Sequence, residues 1–152
     1  MFEKFTESAR RGLYFARYEA VRRGSRLIEP EHALLGILRE GERTLLDLLS
    51  GLNVKPEDLR NDVEDVVGPV VEPDMVSTNV DLPLSENIKD AFRDTVYEAG
   101  VMRHDHVGSE HLILGILHVR NSPAARILQD RRLHFKVVRE EIVSMALRSE
   151  AG

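Results

Sequence analysis

The sequence contains no cysteine, so disulfide bonds and thiolate chemistry are both excluded. The hydrophobic core must therefore stabilise the fold without covalent cross-links. No apolar run approaches the length that spans a bilayer, and the first residues lack the apolar segment of a signal peptide. We therefore expect a soluble protein that resides in the cytoplasm and does not contact membranes.

The sequence also lacks the short motifs of several large enzyme classes. It has no glycine-rich phosphate loop ending in Gly-Lys, no Gly-x-Gly-x-x-Gly, no Gly-x-Ser-x-Gly and no His-Glu-x-x-His. The formal net charge of −5 argues against a dedicated nucleic-acid-binding protein. We accordingly expect a protein that is not an enzyme, requires no cofactor and does not bind nucleic acid.

What the sequence does contain is one phrase that occurs twice. Residues 31–38 read EHALLGIL, and residues 110–117 read EHLILGIL. Aligned without a gap, residues 6–67 and 85–146 have twelve identical pairs among 62. Such internal similarity indicates a tandem duplication.

Hydrophobic periodicity predicts four helices in each copy, and therefore an all-α protein of eight helices. Between the copies the helical period is lost and three prolines occur, which predicts an extended linker along the surface. The predicted organisation is a first repeat over residues 1–68, a linker over 69–83 and a second repeat over 84–150.

Two glycines lie in the middle of the repeated helix, Gly36 and Gly115, where glycine is normally unfavourable. We interpret both as positions where a neighbouring helix approaches too closely for a side chain. Thr6, Ser85 and Ser109 precede apolar helical stretches, and each is predicted to be the N-cap of its helix.

Glu31 and Glu110 allow two interpretations. They are either first-turn carboxylates that face the positive end of a helix, or paired carboxylates that hold a guanidinium group. The residues alone favour the first interpretation. Thr6 and Ser85 raise the same question, since a hydroxyl beside free helix-end amides also suits a phosphate oxygen.

The histidines raise the question of a metal site. Five possible ligands fall within eight residues: His104, Asp105, His106, Glu110 and His111. The aligned stretch of the first repeat, residues 25–27, has none, so we expect no metal. We interpret His32 and His111, which recur at the start of the repeated helix, as core or capping groups.

Two further features have alternative interpretations. Phe2 and Phe5 either form an exposed apolar contact for a partner protein or pack on the first helix. The arginine pairs either serve nucleic acid or, as we favour, lie on solvated helix faces beside carboxylates. These pairs are Arg10-Arg11, Arg22-Arg23 and Arg131-Arg132.

Together with Phe5-Thr6-Glu7 and Glu40-Gly41-Glu42, the repeated phrase resembles the amino-terminal double repeat of the Clp unfoldases, closest to the ClpC type. The resemblance spans residues 2–147 and implies two four-helix repeats related by a pseudo-two-fold axis. The family usually has Gly-Thr before the repeated Glu-His. Here the second copy has Gly108-Ser109, whereas the first has Glu29-Pro30, and the proline lacks a backbone donor.

The resemblance also implies a function. Domains of this type dock protein substrates and adaptors for an ATP-driven unfoldase that feeds a protease, and ClpC-type domains bind phosphoarginine in each repeat. The corresponding residues are Thr6 and Glu31 in one repeat and Ser85 and Glu110 in the other. Phe2 matches an aromatic residue used in partner binding. The alternative is a stand-alone regulatory or sensory protein that has kept the scaffold without the connection to an unfoldase.

Overall fold

The computed structural model describes residues 2–71 and 81–151, with Ala151 described in its backbone only. Within these residues the chain forms eight helices and no strand, which confirms the predicted all-α class. The helices are α1 (Glu7–Arg22), α2 (Pro30–Glu40), α3 (Arg43–Gly51), α4 (Pro56–Val67), α5 (Glu86–Val101), α6 (Ser109–His118), α7 (Pro123–Asp130) and α8 (Phe135–Ala151). No described helix is both long and apolar enough to cross a bilayer. Most of the predicted linker, residues 72–80, lies outside the described residues.

The repeated phrase forms α2 and α6, which are the most deeply buried helices. Their apolar side chains have almost no solvent exposure and belong to one continuous hydrophobic core that includes residues of both repeats. Burial of this kind supplies most of the favourable free energy of folding. The two repeats are therefore joined by a shared core.

Each buried helix packs closely against the helix that precedes it. Ser8 near the start of α1 donates a hydrogen bond to Glu40 at the end of α2, so these two helices are antiparallel. A Cβ atom on Gly36 would overlap the carbonyl oxygen of Gly12 and lie 2.6 Å from the amide nitrogen of Ala16. Because these are backbone atoms, they cannot move aside as a side chain would. The close approach predicted for Gly36 is confirmed.

The second repeat has the same contact. A Cβ atom on Gly115 would overlap the backbone carbonyl oxygen of Ala91 and the hydroxyl of Thr95, both on α5. The close approach predicted at Gly115 is thus also confirmed, and α5 contacts α6 as α1 contacts α2.

Backbone conformation follows the duplication even where the side chains differ. Gly24 and Arg103, which are equivalent in the two repeats, have φ angles of 71° and 59°. Asn53 and Arg132, also equivalent, have φ angles of 60° and 63°. Three of these four residues are not glycine, although left-handed backbone is unfavourable for most side chains. The repeated fold therefore imposes this conformation on whatever residue the sequence supplies.

Two pairs of backbone hydrogen bonds connect the repeats in a crossed manner. The segment before α1 bonds to the loop before α6, and the segment before α5 bonds to the loop before α2. The bonds run from Val107 to Lys4 (2.8 Å), from Thr6 to Val107 (3.0 Å), from Ile28 to Pro83 (2.9 Å) and from Ser85 to Ile28 (3.1 Å), each from amide nitrogen to carbonyl oxygen. The segment before α1 thus lies beside the start of α6, and the segment before α5 lies beside the start of α2.

Candidate functional site at the starts of α2 and α6

Glu31 and Glu110 occupy the second position of α2 and α6, where the positive end of the helix favours a carboxylate. Their exposed fractions are only 6% and 3%. One oxygen of each, Oε2 of Glu31 and Oε1 of Glu110, is buried without a hydrogen-bond partner. A buried carboxylate oxygen without a partner costs free energy. Two such oxygens at equivalent positions therefore mark these helix starts as candidate ligand sites.

His32 and His111 form the caps of the same two helix starts. Nδ1 of His32 accepts the amide hydrogen of Glu29 at 2.9 Å, and Nδ1 of His111 accepts that of Gly108 at 3.0 Å. Burial is the largest cause that lowers the pKa of each histidine to about 4. Both rings are thus neutral at pH 7, and their predicted role as core and capping groups is confirmed.

Thr6 and Ser85 are N-caps, as predicted. The Thr6 hydroxyl accepts the amide hydrogen of Ala9 at 3.0 Å, and that of Ser85 accepts the amide hydrogen of Ile88 at 3.1 Å. Ser109, in contrast, is the first residue of α6 and not its N-cap, a position that Gly108 occupies. That prediction was wrong because the helix begins one residue earlier than expected: Gly108 has the extended backbone of an N-cap, and Ser109 is already helical.

The sequence resemblance paired Thr6 with Glu31 and Ser85 with Glu110, and this pairing is wrong. Because α1 and α2 are antiparallel, Thr6 lies near the end of α2, whereas Glu31 lies at its start, about 13 Å away along the helix. The crossed backbone bonds place Thr6 beside Val107 and Ser85 beside Ile28. Thr6 therefore lies beside the loop that leads to Glu110, and Ser85 beside the loop that leads to Glu31.

The surroundings of Glu110 form the α6 site, which consists of Thr6, Glu42, His106, Ser109 and Glu110. The Glu42 carboxylate accepts the Thr6 hydroxyl hydrogen at 2.7 Å and the Ser109 amide hydrogen at 2.8 Å. Nε2 of His106 lies 3.4 Å from Oε2 of Glu110. The α6 site thus already contains an anion at the helix amide and a cation at the buried carboxylate.

These contacts are reflected in the pKa values of the α6 site. The hydrogen bond to Glu110 is the largest cause that raises the pKa of His106 to about 9. Burial pushes the pKa of Glu110 upward, but the hydrogen bond from His106 and the remaining contacts outweigh it, so that this pKa lies below its usual value. At neutral pH the pair is therefore an imidazolium and a carboxylate.

The surroundings of Glu31 form the α2 site, a cleft of about 330 Å³ lined by Arg23, Ser25, Glu29, Glu31 and His32. Burial is the main cause that raises the pKa of Glu31, and the neighbouring charge of Glu29 adds to it. Arg23 is held by Glu19 at 3.1 Å and by the carbonyl oxygen of Gly68. The α2 site therefore presents two carboxylates to the cleft while its one arginine is bound elsewhere.

The difference between the two sites follows from substitutions at equivalent positions. Asn121 is the counterpart of Glu42, and Leu27 is the counterpart of His106. The α2 site thus lacks both internal charges of the α6 site. Sequence reasoning missed Glu42, although it belongs to the Glu40-Gly41-Glu42 segment that carried the family resemblance, and considered His106 only as a possible metal ligand.

The two aromatic residues near the N-terminus differ in exposure. Phe5 is 5% exposed and packs with Ala9, Ala99 and Val107, so the structure assigns it to the core and not to a partner surface. Phe2 is 38% exposed and stands edge-on to Phe5, with ring centroids 4.9 Å apart. Only Phe2 is accessible for a partner contact.

The arginine pairs mostly contact carboxylates, as predicted. Arg11 lies 2.8 Å from Glu40, and Arg131 lies 2.8 Å from Asp62. Arg23 departs from the prediction of a solvated face, since its side chain is only 7% exposed.

Comparison with known proteins places this geometry in context. The family model for the Clp repeat (R) N-terminal domain matches residues 4–131. The chain is 34% identical over 94% of its length to a protein of Chlamydia pneumoniae named "Probable ATP-dependent Clp protease ATP-binding subunit". It is 32% identical over its whole length to the "Negative regulator of genetic competence ClpC/MecB" of Bacillus subtilis (strain 168). It spans about one sixth of the length of these relatives, 17% and 18%.

A solved structure shares the fold. The N-terminal domain of the chaperone ClpD from Arabidopsis thaliana superposes with a TM-score of 0.69 at 24% identity, covering 96% of this chain and 99% of that one. At this identity the likeness concerns the fold alone.

Proposed function

The chain belongs to the family of Clp repeat N-terminal domains, and on that premise we propose that it is a non-catalytic docking module. It presents protein substrates or adaptors to a Clp-type ATP-dependent unfoldase. The proposal is supported by relatives that are named as ATP-binding subunits of Clp proteases and that match this chain over nearly its whole length. The accessible ring of Phe2 is the proposed partner contact outside the two helix starts.

The finer proposal is that the module recognises phosphoarginine, and the observation that carries it is Oε2 of Glu31, which is buried without a hydrogen-bond partner. A guanidinium group donates two parallel hydrogen bonds to a carboxylate and would add positive charge beside Glu29 and Glu31. Burial and the neighbouring charge of Glu29 raise the pKa of Glu31, and a bound guanidinium would oppose both causes. A ligand guanidinium would thus satisfy an oxygen that the protein leaves without a partner.

The phosphoryl group is expected to lie at the amide end of α2, where helix N-termini favour anions. Pro30 removes one amide donor there, whereas Ser85 contributes a hydroxyl on the adjoining segment. Arginine-phosphorylated proteins are therefore the ligand class that we assign to the α2 site.

The α6 site is proposed to be closed to this ligand by its own side chains. The Glu42 carboxylate occupies the amide and hydroxyl that a phosphoryl group would use, and His106 occupies the carboxylate that a guanidinium would use. Glu42 thus occupies the position of the phosphoryl group, and His106 occupies that of the guanidinium group. We accordingly assign one phosphoarginine site to each chain, at α2.

The first prediction concerns binding at the α2 site. In an NMR titration of the labelled chain, phosphoarginine should shift amide signals at the starts of α2 and α5, because Glu31 and Ser85 lie there. Glu31→Gln should weaken binding by roughly tenfold or more, since it removes the charge that attracts the guanidinium. Glu110→Gln is the matched control and should leave these shifts unchanged.

Arginine and phosphoserine, titrated in parallel, each supply only one half of the ligand and should bind weakly. A response that survives Glu31→Gln, or no response to phosphoarginine, would contradict the assignment of this site. The docking role is tested separately by retention of a Clp-type unfoldase or its adaptors on the immobilised chain, and failure of that experiment would contradict the broader proposal.

A further inference from the structure

Three arginine side chains surround one buried carboxylate on α1, that of Glu19, which is 1% exposed. Its Oε2 lies 3.1 Å from Nε of Arg23, whereas its Oε1 is shared by Arg39 at 3.4 Å and Arg22 at 3.6 Å. A second carboxylate, that of Glu64, lies 3.9 Å from Arg23, so Arg23 is the best compensated of the three arginines. Because one carboxylate neutralises one guanidinium group, the cluster retains positive charge at Arg22 and Arg39.

These two weakly held arginines converge on the ring of Tyr18. The Cζ atoms of Arg22 and Arg39 lie 5.0 Å and 4.9 Å from the ring centroid, so the two atoms are at most about 10 Å apart. Their side chains are partly accessible, with exposed fractions of 21% and 39%. A guanidinium group has five N–H donors, and the contact with Glu19 occupies few of them. The ring therefore holds two cations close together with unused donors, and anionic groups bound to both would offset their repulsion.

Further aromatic side chains lie beside these cations on α1. The ring centroid of Phe15 lies 5.1 Å from Cζ of Arg39 and 5.9 Å from the ring centroid of Tyr14. Tyr14 is 52% exposed. Arginine and tyrosine are enriched among the residues that contribute most to the affinity of protein interfaces. We call this surface the α1 cluster, and it consists of Tyr14, Phe15, Tyr18, Arg22 and Arg39.

We propose that the α1 cluster binds an acidic segment of a partner protein, with Arg22 and Arg39 holding its carboxylates and Tyr14 contacting an adjacent apolar side chain. Guanidinium groups donate charge-assisted, often paired hydrogen bonds to carboxylates. A nucleic acid would extend beyond the cluster over a chain whose formal net charge is −5, whereas a short acidic segment meets only the local positive charge. The choice of a protein as the partner rests on the proposed docking function, but the surplus of positive charge does not depend on it.

The second repeat has the same buried carboxylate without the surplus of positive charge. Glu98, the equivalent of Glu19, lies 3.1 Å from Nε2 of His118 and 2.9 Å from an Nη atom of Arg139. His118 and Val101 stand at the positions that the two weakly held arginines occupy in the first repeat. Glu98 thus faces one guanidinium group and one imidazole, and the proposed surface belongs to the first repeat alone.

The test is an NMR titration of the isotope-labelled full chain, at low salt, with the capped peptide Glu-Glu-Phe-Glu-Glu-Leu. The peptide should shift the Nε–H signals of Arg22 and Arg39 and the amide signals of α1. Arg39→Gln should weaken binding by roughly fivefold or more, because it removes one charge-assisted contact. Arg126→Gln, which removes an exposed arginine on α7, is the matched control and should leave binding unchanged.

Further ligands and one further variant test the chemistry of the site. The same peptide with glutamine in place of glutamate should not bind, because it lacks the carboxylates. Tyr18→Leu should weaken binding of the acidic peptide although it removes no charge, because the ring positions both arginines. Inorganic phosphate should shift the two arginine signals less than the peptide does, and a stronger response to phosphate would overturn the assignment to carboxylates.

Circular dichroism establishes that each variant is folded, and Arg23 still holds Glu19 in all of them. Unshifted signals of Arg22 and Arg39, or equal binding by folded Arg39→Gln, would overturn the proposal. Either result would leave the docking function to be judged by retention of a Clp-type unfoldase. Loss of that retention with peptide binding intact would instead contradict the docking function alone.

Discussion

At the scale of single residues, the molecule is distinguished by polar groups buried at two helix starts. Among these groups, the capping histidines His32 and His111 stabilise the two helix starts. His32 accepts a backbone hydrogen and has almost no contact with water, so it must remain neutral to stay in place. The stability of the fold therefore depends on pH through the protonation of His32.

We predict that stability decreases as the pH falls from about 6.5 to about 4, in part because of His32. Burial is the main cause that lowers the pKa of His32 from 6.5 to about 4; Glu29 and Glu19 oppose this shift, and Arg23 adds to it. In that window the unfolded chain binds the proton and the folded chain does not, so protonation favours unfolding. A difference of this size corresponds to about 3 kcal/mol. Urea unfolding at a series of pH values measures it.

His32→Gln is the informative variant, because glutamine at the third helical position can also bond back to the N-cap amide without titrating. Between the two pH values, the free energy of unfolding should decrease less for this variant than for the parent chain. His134→Gln, an exposed change of the same kind, is the control. An unchanged pH dependence in His32→Gln would show that burial of His32 does not contribute.

At the scale of the helices, the contact between α1 and α2 determines how the first repeat packs. Gly36 allows the two backbones to touch, and Gly115 does the same for α6 and α5. The same two glycines lie within the phrase that identifies the duplication. The contact between helices therefore explains why the phrase includes a residue that disfavours helix formation.

We predict that Gly36→Ala lowers the free energy of unfolding by about 3 kcal/mol, because the added methyl group meets backbone atoms of Gly12 and Ala16 and must force the helices apart. Thermal or urea unfolding measures the change. Gly100→Ala is the matched control, since Gly100 is also inside a helix but a Cβ atom there would have no neighbour within 4 Å. That variant should be as stable as the parent chain or up to about 1 kcal/mol more stable. Equal effects at both positions would contradict the packing argument.

At the scale of the whole molecule, the two repeats share a fold but differ in the charges at their helix starts. The α6 site contains its own anion and cation, Glu42 and His106, whereas the equivalent positions at the α2 site are Asn121 and Leu27. The duplicated scaffold thus provides internal charged partners at the start of α6 that the start of α2 lacks.

Replacing both internal charges should open the α6 site. In the double variant Glu42→Ala, His106→Leu, the stoichiometry of phosphoarginine should rise from one to two per chain, because the helix amide and the Glu110 carboxylate lose their internal partners. NMR titration measures this, with new shifts expected at the start of α6. A stoichiometry that remains at one, with the α2 site still responding, would show that the internal contacts do not block binding.

Several features of the structure could be predicted from the sequence because they depend on local patterns. The hydrophobic period and the capping residues predicted the helices. The mid-helix glycines predicted the close contacts of α2 with α1 and of α6 with α5. The N-cap of α6 was missed, because the N-cap is Gly108, which has no side chain that could mark the position in the sequence. The role of Phe5 also depended on packing, since exposure cannot be read from one residue's type.

By itself, the sequence determined the duplication, the all-α class, the family and the identity of the helix-start carboxylates, since periodicity and repeated motifs are properties of the chain in order. Only the tertiary structure decided which residues meet. The crossed bonds of Val107 with Lys4 and Thr6, and of Ile28 with Pro83 and Ser85, join segments that are about 55 to 100 residues apart in the chain. The contact of His106 with Glu110 and the hydrogen bond from the Ser109 amide to Glu42 likewise depend on how the loops pack. Such contacts depend on the relative placement of whole helices, which no local pattern specifies.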